Sequence, residues 1–139
     1  MADLHDPREV IVTVNGTEIV GFAEGTFVEG EQNEERFATH VGAKGEVTWV
    51  RNADDTGLIT LTLKHNSPSN AYLHEQYKSQ DEDGAEISIS VQDRNFDGDV
   101  SVSGSEAKIA KLPNFARGAE VEEVEWEFLV ADYESIFSE

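Results

Sequence analysis

Apolar and polar residues alternate along most of this chain with a period of two, the pattern of strands that bury one face and wet the other. Ile59, Leu61 and Leu63 alternate with Thr60, Thr62 and Lys64. Val124, Trp126, Phe128 and Val130 alternate with Glu123, Glu125 and Glu127 in the first part of the run, which predicts an inward apolar row and an outward row of carboxylates. Ile87, Ile89 and Val91 repeat the pattern against Glu86, Ser88 and Ser90, and Val100 and Val102 repeat it against Ser101 and Ser103. Near the start, residues 10–14, then Asn15-Gly16, then residues 17–22 predict a hairpin, because Asn-Gly supplies the two positive-φ positions of a type I′ turn.

Two stretches depart from plain alternation. Ser67 is a candidate N-cap, Pro68 suits the first helical position, and Leu73 and Tyr77 then share a helical face, so a short helix is predicted over residues 68–78. Gln80-Asp81-Glu82-Asp83-Gly84 predicts an acidic loop with Gly84 as the stop signal, and residues 111–118, with Pro113 and Gly118, predict a second loop before the last strand. Residues 29–51 are polar, carry Gly42 and Gly45 at a tip, and offer Phe37, Val41, Val47 and Trp49 as apolar positions, too few to fill a core of their own. They predict an extended hairpin, disordered in a free monomer, within a single domain spanning residues 1–139. Trp49 and Trp126 both lie in alternating patterns that favour burial. The fold class expected is mostly β, a β-sandwich or barrel of about seven or eight strands with one short flanking α-helix.

Composition agrees with one domain: 139 residues match a single core, and a chain of about 150 residues buries roughly two-thirds of its unfolded surface. Cysteine is absent, which excludes disulfides and thiolate zinc sites. Charge changes the picture more, since 29 Asp and Glu against 10 Lys and Arg leave a formal net of −19. A nucleic-acid interface needs a basic face to replace condensed counterions, and scattered lysines and arginines in such an acidic field do not provide one. Solubility asks for a net magnitude of only about 2–8, so the excess suggests adaptation to high salt, where a Debye length of about 3 Å at 1 M screens self-repulsion. An acidic functional surface is the competing explanation. The longest apolar run, Phe128-Leu129-Val130-Ala131, is far short of the roughly 20 residues that span a bilayer. The first residues lack the basic and apolar regions of a signal peptide, so synthesis in the cytoplasm and no membrane partner are expected.

Candidate chemistry is sparse. There is no Gly-x-Ser-x-Gly elbow, no cysteine nucleophile and no Gly-rich phosphate loop, so no enzyme and no cofactor are expected. His5, His40, His65 and His74 include no pair at the i, i+4 spacing of a helical zinc site, although His65 and His74 bracket the start of the helix and could meet in space. Asp93-Arg94-Asn95-Phe96-Asp97-Gly98 matches the first half of a calcium loop. Its twelfth position, however, is Gly104 instead of a bidentate Glu, and strands flank it, so a tight turn closed by Asp97-Gly98 accounts for the same residues. No catalytic, cofactor-binding or metal-binding residue is assigned.

Taken in order, Val20-Gly21-Phe22-Ala23-Glu24-Gly25, Val41-Gly42-Ala43-Lys44-Gly45-Glu46-Val47-Thr48, Asp54-Asp55-Thr56-Gly57-Leu58-Ile59-Thr60-Leu61-Thr62-Leu63 and Ser67-Pro68-Ser69-Asn70 resemble the tail-tube proteins of tailed phages. Glu125-Trp126-Glu127-Phe128-Leu129-Val130-Ala131-Asp132 resembles that family's last strand, so the likeness runs over about residues 10–132, interrupted near Asp81. The resemblance implies a virion structural protein, made in the host cytoplasm, whose copies form hexameric rings stacked into a hollow tail tube. It implies two packed sheets with a flanking helix, and strands from all subunits joined in one barrel lining the channel. The partners implied are copies of the chain itself, other tail proteins, and viral DNA that passes without specific binding. Phe37, Val41, Gly42, Gly45, Val47 and Trp49 are then expected in the tube wall and in contacts between stacked rings. The acidity departs from the family, and lumen carboxylates would repel phosphate while outer ones hold hydration in brine. Two alternatives stand beside this one: a tube subunit of a contractile injection system, and a monomeric β-sandwich module binding sugar or calcium.

Overall fold

The alternating segments become one large antiparallel sheet in the computed structural model, which describes residues 4–138. A 3-10 turn at Pro7–Glu9 leads into β1 (Val10–Val14) and β2 (Thr17–Glu18), followed by β3 (Val28–Gln32), β4 (Phe37–Val41), β5 (Val47–Arg51) and β6 (Gly57–Lys64). Helix α1 (Ser69–Asp83) comes next, and β7 (Ile87–Asp93), β8 (Val100–Ile109), β9 (Glu123–Val130) and β10 (Glu134–Phe137) complete the chain. The strand order is β2-β1-β7-β8-β9-β6-β3, with β10 added along β8, while β4 and β5 pair only with each other. β8 is long because it serves two neighbours on one side. Its start pairs with β10, as in Val100 opposite Phe137, and its end pairs with β9, as in Ile109 opposite Phe128.

The predicted inward rows fill the core. Ile59, Leu61 and Leu63 of β6 lie directly opposite Phe128, Trp126 and Val124 of β9, and all but the half-buried Val124 are buried. Val12 and Val14 of β1, Ile87 and Ile89 of β7, and Ala107 and Ile109 of β8 join them, and Leu73 of α1 closes the cluster from the helix side. Fully burying one such aliphatic or aromatic side chain stabilises by about 1.5–3 kcal/mol. Glu123 and Glu125 of β9 are exposed and Glu127 is half-buried, as alternation requires on a sheet with one wet face.

Three features differ from the sequence expectation, two of them element boundaries where a tertiary contact wins over a local signal and one the burial of a side chain. The first hairpin has its type I′ turn, with Asn15 at φ 48° and Gly16 at φ 84°, but β2 ends after two residues instead of running to residue 22. The backbone of Val20 turns to the helix start: its N–H donates to Ser69 Oγ at 2.9 Å and its carbonyl accepts from Ser67 Oγ at 2.6 Å. Phe22 keeps only a single bridge to Leu63. The helix also runs five residues past the expected end at 78, taking in most of what reads as an acidic loop. Acidic residues at a helix C-terminus oppose the helix dipole. Here the side chain of Gln80 offsets that by clasping Ile109, donating to its carbonyl and accepting from its N–H, both at 2.8 Å. Gly84 then ends the helix in the left-handed conformation at φ 67°, as its stop signal implied. At the other end the helix starts at Ser69 with Pro68 at the N-cap, one residue later than expected, while Ser67 Oγ accepts from the N–H of Ser69 at 3.1 Å. The third difference concerns Trp49, which is exposed rather than buried.

Asn70 locks the helix start to the sheet. Its amide donates to the carbonyls of Lys64 at 3.0 Å and His65 at 3.1 Å, and its oxygen accepts from the Trp126 indole at 3.0 Å. Among the described residues no helix is long and apolar enough to cross a membrane.

Candidate assembly surface

β4 and β5 form a two-stranded ribbon whose register places Phe37 opposite Arg51, Thr39 opposite Trp49, and Val41 opposite Val47. Cross-strand partners share a face, so these six side chains form one stripe. Its apolar members are all open to solvent: Phe37 is 53% exposed, Val41 60%, Val47 55% and Trp49 70%. Ala38, His40, Thr48 and Val50 occupy the other face, where Val50 is also exposed. The ribbon has no inside.

The turn explains Gly42 and Gly45. The N–H of Gly42 donates to Glu46 O at 2.7 Å and that of Gly45 donates to Gly42 O at 3.0 Å, while Gly45 sits at φ 90°. This is a three-residue loop closing on a left-handed residue, where a side chain would be strained. The base is held by polar groups. Asn52 N–H donates to Arg36 O at 2.7 Å, the Arg36 guanidinium donates to Asn52 O at 2.8 Å and pairs with Asp55, and Asn33 joins Thr56 through backbone and side chain. Asp54 Oδ1 accepts from the Thr56 hydroxyl and N–H, and these bonds hold its carboxyl below the usual carboxylate range. The stripe is therefore presented from an anchored base.

The structure brings together the four apolar residues expected in this segment and puts both glycines at its turn. It narrows the segment, because Val28–Gln32 belongs to the main sheet through its pairing with β6, and the ribbon proper begins at Phe37. Arg51 and Thr39 complete the stripe and escaped the sequence analysis, although period-two register from Trp49 finds them.

Other surfaces are also open. β3 and β2 end the main sheet, each pairing on one side only. Phe96 and Phe137, 59% and 83% exposed, flank a groove of about 650 Å³. Phe115 is exposed beneath the Arg117 guanidinium, 4.3 Å from its ring centre.

His65 and the Asp93 to Asp97 turn have structural uses. His65 Nδ1 accepts from Glu122 N–H at 2.9 Å, tying the end of β6 to the entry of β9. Asn95 exchanges hydrogen bonds with the backbone of Asp6 and donates to Asp93 Oδ1, so the Asp93 to Asp97 turn pins the chain start. Among the described residues no three His, Asp or Glu side chains converge as a metal site requires.

A family model of the bacteriophage PhiTE tail tube protein matches residues 9–138. No match was found among curated proteins. Among solved structures the chain resembles the sheath/tube terminator of the extracellular contractile injection system PVC in its extended state, with a TM-score of 0.65, 14% identity, and coverage of 95% of this chain and 96% of that one. It also resembles a chain of the PVC sheath–tube complex in the extended state, with a TM-score of 0.63, 14% identity, and coverage of 96% and 93%. The tube-terminating cap of the anti-feeding prophage gives a TM-score of 0.62, again at 14% identity, over 96% and 91% of the two chains. At such identity the likeness speaks for the fold.

Proposed function

The chain belongs to the bacteriophage PhiTE tail tube protein family and is a structural subunit of a tail tube, and on that premise we propose that six copies form a ring and that rings stack into a hollow tube for viral DNA. The observation that carries this proposal is the ribbon β4–β5. An isolated two-stranded ribbon is marginally stable in water, and this one holds an apolar stripe away from its own core on an anchored base. Such a face is useful once a neighbouring copy covers it. The open edges at β2 and β3 support the same conclusion, because unpaired backbone groups are satisfied when sheets from successive subunits join around a ring. Phe37, Val41, Val47 and Trp49, with the turn at Gly42 and Gly45, then form contacts between stacked rings.

Charge fits a passage for DNA. A chain with a formal net of −19 repels phosphate, so DNA slides past without adhering. The same charge opposes assembly at low ionic strength, which molar salt screens. Tubes formed in molar salt loosen into rings or monomers on dialysis to millimolar salt, seen by light scattering and circular dichroism at constant pH; unchanged assembly removes the halophilic interpretation and leaves the tube standing. The decisive experiment is electron microscopy of the purified protein in molar salt. Rings or hollow tubes are expected, and a protein that stays monomeric at high concentration refutes the proposal.

A second interpretation, the inner tube of a contractile injection particle, is favoured by the fold shared with PVC and anti-feeding prophage tube components. The two predict different contents of the tube in particles from the producing cell, DNA in one and protein cargo in the other.

A further inference from the structure

We propose that the groove between the β7–β8 turn and β10 is the seat for the ribbon of a second copy of this chain, an inference that rests on the tube-subunit interpretation. Asp93, Phe96, Asp97, Val100, Phe137 and Ser138 line the groove. Register explains why it is apolar. Asp93 lies opposite Val100, and Val100 opposite Phe137, directly beyond the row in which buried Val91 faces Val102. The groove thus continues the core-facing row past the point where this chain covers it, and Phe96 and Phe137 stand open at its rim.

Charge selects the occupant. Residues 93–99 carry Asp93, Asp97 and Asp99 against Arg94, a net of −2, and Asp93 is engaged by Asn95. Residues 37–51 carry Lys44 and Arg51 against Glu46, a net of +1 in a chain of −19. Arg51 also sits on the apolar stripe, opposite Phe37. The ribbon combines an uncovered apolar face with local positive charge, and the groove combines an uncovered apolar floor with Asp97 in its lining and Asp99 in the same acidic turn. Because stripe and groove are different patches, the contact is heterologous and repeats from copy to copy instead of stopping at a dimer. It also places attraction where two strongly acidic molecules must meet.

The chain has no cysteine, so introduced thiols report proximity directly. In Thr39→Cys with Ser138→Cys, a short bis-maleimide applied to assembled protein yields a ladder of covalent multimers. Each single variant, and Thr39→Cys paired with Glu75→Cys on the helix, gives no ladder. Independently, Arg51→Asp raises the protein concentration at which scattering begins by tenfold or more, and Asp97→Lys with Asp99→Lys in the same chain restores it, with circular dichroism checking that each variant is folded. Tubes visible by microscopy without a ladder overturn the groove assignment and leave the tube standing. A ladder of equal strength through Glu75→Cys, or no rescue by the lysines, also overturns it. Folded protein that never associates refutes both.

Discussion

β6 and the β4–β5 ribbon carry the same alternating pattern and end in opposite surroundings. In β6, Ile59, Leu61 and Leu63 are fully buried because β9 lies beside them and further strands and α1 contribute to the same cluster. In the ribbon, Phe37, Val41, Val47 and Trp49 point to one side with equal regularity and remain exposed, because among the described residues no element lies over them. Alternation tells that a segment is a strand and which residues share a face. What covers that face is decided elsewhere, here by a neighbouring copy in the proposed tube.

Hydrogen exchange on the isolated subunit gives the widest test of this contrast. Amides of β6 and β9 should open only with the whole fold, at a cost of about 5–15 kcal/mol, whereas those of β4 and β5 should exchange with little protection. Strong protection of the ribbon in a monomer would show that it needs no partner. Next in size, Phe128→Ala should lower stability in urea by about 3–5 kcal/mol, since it empties a site with no solvent contact. Asn70→Ala should cost about 1–3 kcal/mol, because the buried Trp126 indole N–H loses its acceptor and two carbonyls lose a donor.

Acid should act on a smaller scale through Asp132. Its carboxylate accepts from the hydroxyl and N–H of Ser105 and from the N–H of Glu106, and these bonds depress its pKa. A depressed folded-state pKa contributes stability above the unfolded value, about 3.9, and that contribution is lost as pH falls through the folded value. Asp132→Asn should therefore flatten part of the acid limb of the urea midpoint against pH, and an unaltered limb would count against it. Smallest of all, Trp49→Ala should change the isolated subunit's stability by less than about 0.5 kcal/mol while abolishing assembly. A large loss of monomer stability would place Trp49 in a private core after all.

Much of the fold was legible because it rests on short-range regularities. Asn15-Gly16 marks its turn, Gly84 its helix stop, and Val124 to Val130 its inward row. The two boundary errors share one cause. β2 is short because Val20 bonds to Ser67 and Ser69, and α1 is long because Gln80 reaches Ile109, contacts between residues 29 to 49 positions apart that no local window contains. The ribbon residues were legible as a group, since glycine at a tip and too few apolar positions for a core are visible in the chain. Arg51 as a member of the stripe and the groove at Phe96 and Phe137 needed pairing partners to be known.

By itself the sequence determined the period of each strand, the chemistry of its turns, the acidity of the surface and the absence of a thiol, because these depend on residues close together in the chain or on composition alone. The tertiary structure decided which apolar rows face one another and which are left uncovered. Two strands with equal alternation differ in burial only through what packs on them, and packing is a property of residues distant in sequence that meet in space.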